Sequence, residues 1–222
     1  MNSLFHQSAD HLFDIQNNTR AYASSRYHKS ELERAEVASL LQDVELVFNE
    51  GFTVEIEEAL ASHHPETLLQ YLQKSHDLYL NARLYEIEQT LDWLALEIGH
   101  SHPYLKLLHF FLMDYRQELT KHIHREESLL FPALRKLFQE GKSALNSGEI
   151  SLITGFKAHH EDTEVDLKVL RKVLREYVSE GRSYSSFRVL LNRLKSLELD
   201  LQVHHILEDH VLIPFALKAL KQ

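Results

Sequence analysis

The stretch "HIHREESLLFP", residues 122–132, is written almost a second time as "HHILEDHVLIP" at 204–214. Both copies open on His, place Glu four residues later, follow with large apolar residues and end on Pro at the eleventh place. The likeness reaches upstream, to "EL" before His122 and "DL" before His204. Residues four apart lie one above the other on a helix, so each copy presents an imidazole and a carboxylate on one face. The surrounding apolar pattern says where that face points. Leu105, Leu108, Leu112, Tyr115, Leu119, His122, Glu126 and Leu129 recur three and four residues apart. So do Phe187, Leu190, Leu194, Leu197, Leu201, His204, Glu208, Val211 and Phe215. His and Glu therefore stand on an interior seam, at positions where the pattern otherwise calls for Leu.

Two further long helices follow from the same periodicity. One runs over 66–99, opened by Pro65 and closed by Gly99, with Leu69, Leu72, Leu84, Ile87, Leu91 and Leu94 on its stripe. The other starts near Ser147 and carries Ile153, Phe156, His160, Leu167, Leu170 and Leu174. Short turns, "HSHP", "EGKSALNSG" and "SEGRSYSS", separate the four helices and force neighbours to run antiparallel. The expected fold is all-α: an up-down-up-down four-helix bundle over residues 65–222. Residues 1–64 read as a small helical appendage, with one helix near 31–48, capped by Ser30 and Glu33, and a weaker one near 54–61. Pro132 is expected to kink its helix. The polar start, "HQSADHLFDIQNNTRAYASSRYH", reads as partly disordered.

Composition narrows the chemistry. The 222 residues carry a formal charge of −9, which leaves no basic stripe for nucleic acid. No run of apolar residues is long enough to span a membrane, and the start shows no signal peptide. The expectation is a soluble cytoplasmic protein. With no Cys, thiolate metal ligands and thiol nucleophiles are excluded.

Sixteen His make chance His–Glu pairs common, so depth in the bundle matters more than spacing. Counted from the turns, His76, His122, Glu126, His160, His204 and Glu208 fall within about two helical turns of one another at ~1.5 Å per residue. Burying them without compensation would be costly. Four His and two Glu exceed one tetrahedral site and suit two ions bridged by carboxylates. Imidazole with carboxylate and no thiolate favours iron or manganese, with zinc as a substitute. His109 lies about 220° round the helix from His122 and faces away. His124, His205 and His210 are expected at the surface, and Tyr79, Tyr115 and Phe156 share faces with the ligands.

These residues resemble the hemerythrin-like "HHE" cation-binding family, and within it the di-iron proteins for repair of iron centres. The family's lone His, H-x-x-x-E with L-F-P, lone His and second H-x-x-x-E match His76 in "QKSHDLYL", His122 and Glu126, His160 in "KAHHEDTE", and His204 and Glu208. The resemblance covers about residues 66–220. It implies a non-haem di-iron centre that binds nitric oxide, dioxygen or peroxide, in protection from nitrosative and oxidative stress or in iron-centre repair. Repair proteins of this kind carry an N-terminal cysteine pair that this chain lacks. Oxygen-carrying hemerythrins place a second His where Glu164 stands here. The alternative is a non-catalytic metal- or gas-sensing or storage module, whose N-terminal appendage meets a protein partner or a second copy. A zinc structural bundle is a third reading.

Overall fold

The computed structural model describes residues 31–98, 104–156, 167–172, 174–175 and 185–221. The helices are α1 (Glu31–Glu50), α2 (Val54–Ala61), α3 (Pro65–Leu78), α4 (Leu84–Ile98) and α5 (Tyr104–Arg125). They continue with α6 (Phe131–Glu140), α7 (Ser147–Gly155), α8 (Ser185–Ile206) and α9 (Ile213–Ala219). Three wider π-helical turns join some of them: π1 (Tyr79–Arg83), π2 (Glu126–Leu130) and π3 (Leu207–Leu212). Residues 167–172 and 174–175 are also helical, and no strand occurs among the described residues. The polar start, Ser30, His160 and Glu164 lie outside the described residues.

Contacts divide the chain into two compact units, Met1–His63 and His64–Gln222. In the first, Thr53 caps α2 by accepting from the Ile56 backbone N–H at 3.4 Å. His63 closes back on α1, its Nε2 2.6 Å from Asp43 Oδ2. Leu40, Val44, Ile56 and Leu60 are buried.

The second unit is the four-helix bundle. His64 and Pro65 start its first rod, α3–π1–α4, with the His64 side chain accepting from the Glu66 N–H at 3.2 Å. Rod α5–π2–α6 ends at Gly141, whose φ of 85° is open to glycine without a Cβ clash. Asn146 and Glu149 form a reciprocal capping box that starts α7. The core runs along the seams: Leu84, Leu91, Leu112, Leu119, Leu194 and Leu201 are each at most 1% exposed. Leu167 and Leu174 join the same core, which places residues 167–172 and 174–175 in the bundle. Each fully buried Leu contributes about 1.5–3 kcal/mol through removal of apolar surface from water. Charged clamps fix the helices' relative heights. Arg171 grips Glu198 through two bonds of 2.6 and 3.0 Å, Arg116 grips Glu88, and Arg83 holds Asp200 at 2.9 Å.

The expected kink at Pro132 takes the form of π2. The N–H of Phe131 reaches back five residues to the Glu126 carbonyl, and Ile213 does the same to Glu208 ahead of Pro214. A π turn takes in one extra residue, so the buried stripe shifts phase beyond it. Leu129 and Phe215, expected on the seams, are 54% and 40% exposed. Leu130 with Phe131, and Leu212 with Ile213, take the interior places instead.

Candidate metal centre

The three π turns sit beside the predicted ligands. His76 lies three residues before π1, Glu126 opens π2 and Glu208 is the second residue of π3. A wide turn re-aims side chains that a regular helix would carry past the axis. His76, Glu126, His204 and Glu208 converge so that one ligand atom from each lies within 4.8 Å of all the others. All four are buried, none more than 2% exposed. His122 stands at the edge of this group, its side chain 17% exposed and its Nε2 2.7 Å from Glu126 Oε1.

Glu126 faces two different rings: Oε1 meets His122, while Oε2 lies 3.1 Å from His76 Nε2. Glu208 Oε1 is 3.3 Å from His204 Nε2. The two rings also face each other, His76 Nε2 being 3.1 Å from His204 Nε2.

Their outer partners assign the protons. Ser75 donates its hydroxyl to the Leu72 carbonyl at 2.7 Å, so its oxygen accepts from His204 Nδ1–H at 2.7 Å. Glu127 accepts from His76 Nδ1–H at 3.0 Å. A neutral ring protonated at Nδ1 turns its Nε2 lone pair inward. Two such lone pairs 3.1 Å apart, with carboxylate oxygens beside them, are a set of electron donors that a cation would join. The residues present therefore fit a metal bound through nitrogen and oxygen.

Electrostatics point the same way. Burial, then the His76 ring beside it, pushes His204 well below the ordinary imidazole range. Burial, with Glu126 and Asp209 nearby, holds the Glu208 carboxyl well above the ordinary carboxylate range. A bound cation reverses that cost, because it favours the ionised carboxylate and the neutral imidazole.

Side chains that spacing does not reveal complete the walls. Phe131 stacks on His76 with centroids 5.6 Å apart and planes 4° from parallel. Tyr79 meets His204 edge-on at 5.6 Å and donates its hydroxyl to the Asp200 carbonyl at 2.9 Å. Burial, then the charge of Asp200, holds the Tyr79 phenol well above its ordinary range. His205, expected at the surface, is buried; His124 and His210 are exposed, and His109 faces out beside Asp92 at 3.6 Å.

The outer hydrogen bonds carry a test. Ser75→Ala and Glu127→Gln should each weaken metal binding by about 10–100-fold. Competition against a chromophoric chelator measures this, and an unchanged affinity in both would deny them any part in orienting the rings.

No family model matches the chain, and no solved structure matches it. Among curated proteins, it is similar to the iron-sulfur cluster repair protein ScdA of Staphylococcus epidermidis. The two are 28% identical over 147 residues, 66% of this chain and 64% of that protein. ScdA of Staphylococcus haemolyticus is 27% identical over 146 residues, with the same shares. The iron-sulfur cluster repair protein YtfE of Cronobacter sakazakii is 29% identical over 118 residues, 53% of this chain and 47% of that protein. The match thus takes in just under two thirds of the staphylococcal proteins' own length and about half of the Cronobacter one. These similarities make the chain a homologue of proteins named for iron-sulfur cluster repair.

Proposed function

We propose that the buried layer holds two iron ions and that the protein acts in repair of iron centres under nitrosative or oxidative stress, in the cytoplasm. The observation that carries this is Glu126, whose two carboxylate oxygens address two separate imidazoles, as a bridge between two ions requires. Its supports are the donor set and the relatives' names. His76, His122, His160 and His204 would each serve one ion, with Glu126 and Glu208 as bridges. Iron bound there supplies redox chemistry and open coordination positions for nitric oxide, dioxygen or peroxide. The protein's own part is to hold the rings in one tautomer, exclude water with Phe131 and Tyr79, and set the carboxylates between the ions. Iron-sulfur clusters would be the substrate, since the relatives are named for repairing them. No helix among the described residues is long and apolar enough to cross a membrane.

Metal analysis of protein expressed with ample iron should find about two metal ions per chain, mostly iron, with ferric absorption in the near-ultraviolet and visible. One tightly held zinc per chain and a featureless spectrum would sink the proposal. The bundle should also suffice. A chain started at residue 64 should fold and keep its metal, and a soluble, helical truncation devoid of metal would show that residues 1–63 complete the site.

A further inference from the structure

The outer face of α5 has no part in the metal layer. Leu107, Phe110 and Met113 stand 71%, 67% and 51% exposed, where a bundle helix ordinarily shows polar side chains. Lys106 and Asp114 flank them, both exposed. The run "KLLHFFLMD", 106–114, is symmetric about Phe110. Three residues to either side stand the apolar Leu107 and Met113; four to either side stand Lys106 and Asp114, of opposite sign. At about 100° per residue, Lys106 and Asp114 lie ~40° to either side of Phe110's direction, and Leu107 and Met113 lie ~60° to either side.

We infer that this face pairs with the same face of a second copy, antiparallel, about a two-fold axis passing beside Phe110. Such an axis sets each residue before Phe110 against the one equally far after it on the other copy. Phe110 packs on its own counterpart, Leu107 lies level with the partner's Met113, and Lys106 lies level with the partner's Asp114, within reach of its long side chain, twice over by symmetry. The pattern selects a second copy over an unlike partner. A strongly acidic or basic partner would be matched by charges of one sign, whereas this face carries one of each at mirrored places. One helix against one helix buries less than the ~1,200–2,000 Å² of a stable interface, so the dimer is a weak one, with Kd on the order of 10–100 µM.

Analytical ultracentrifugation of the full chain, from about 1 to 500 µM, tests this. The wild type should move from monomer to dimer across that range. Phe110→Glu sets two carboxylates against each other on the axis and should weaken the dimer at least ~10-fold. Lys106→Glu and Asp114→Lys should each weaken it several-fold by placing like charges opposite one another. The two combined should recover the wild-type Kd within about threefold, because the swapped charges face each other again. All three positions are exposed, so helicity and metal content should not change in any of the four variants. A chain that stays monomeric throughout, a dimer indifferent to Phe110→Glu, an assembly larger than two, or a double variant as weak as the singles would each overturn the inference.

Discussion

Glu126→Gln or Glu208→Gln should strip the centre, lowering bound iron from about two ions per chain to one or none and abolishing the visible spectrum. Gln keeps the size and the helix but offers one carbonyl oxygen and no charge, so it bridges poorly. His109→Gln, on the same rod and facing out, should change neither metal content nor spectrum. Glu208→Gln has a second effect, of opposite sign. The folded protein holds the Glu208 proton more tightly than the unfolded chain does. Metal-free protein should therefore lose stability as pH rises from about 4.3, the ordinary carboxylate value, towards the raised folded one. The variant lacks that slope. His204 slopes the other way, gaining stability as pH rises towards ~6.5, and it is present in both proteins, so the difference isolates the carboxylate. Metal-free Glu208→Gln should exceed metal-free wild type by about 1–3 kcal/mol at neutral pH. Thermal melts of both proteins after chelation check this. Two irons and an unchanged spectrum in both Glu variants would show that the carboxylates are not bridges.

Phe131→Ala should be the most damaging single core change. Phe131 is fully buried, stacks on His76 and donates the backbone bond that closes π2. Removing its ring should cost about 3–5 kcal/mol, a fall in Tm on the order of 10 °C. Phe131→Leu retains most of the volume and should cost under about 1.5 kcal/mol. Urea denaturation followed by far-ultraviolet circular dichroism separates these values. A loss below about 1 kcal/mol for the Ala variant would mean that the wall re-forms without it.

The long helices and their seams were legible because burial of Leu at three-four spacing is a repeated, additive signal. His76, Glu126, His204 and Glu208 were legible for the converse reason: polar groups stand where that signal demands Leu. The phase beyond each Glu was not. Proline at 132 marks a kink but not the extra residue that a π turn takes in, so three-four spacing sets Leu129 and Phe215 on a face they do not occupy. Ser75 and Glu127 were equally hidden. They lie one residue from His76 and Glu126, about 100° off the seam, and each reaches the buried layer through a partner on another rod. His205 shows the same limit, since neighbours that periodicity does not record bury it.

The prolines at 132 and 214 give the repeated phrase a kind of mechanical memory. Left to itself, a wide turn would tend to tighten into an ordinary helix, turning everything on one side of it by about 100° against the other. That rotation would carry Glu126 or Glu208 away from its imidazole. Proline six residues past each Glu makes the tighter form expensive, by roughly 3 kcal/mol, because its ring would strike the carbonyl one turn back. Neither proline lies among the four converging His and Glu side chains. The last letter of each phrase acts as a ratchet on the fifth. A drift that spared every ligand but replaced these two residues would keep the metal alphabet and lose its spelling.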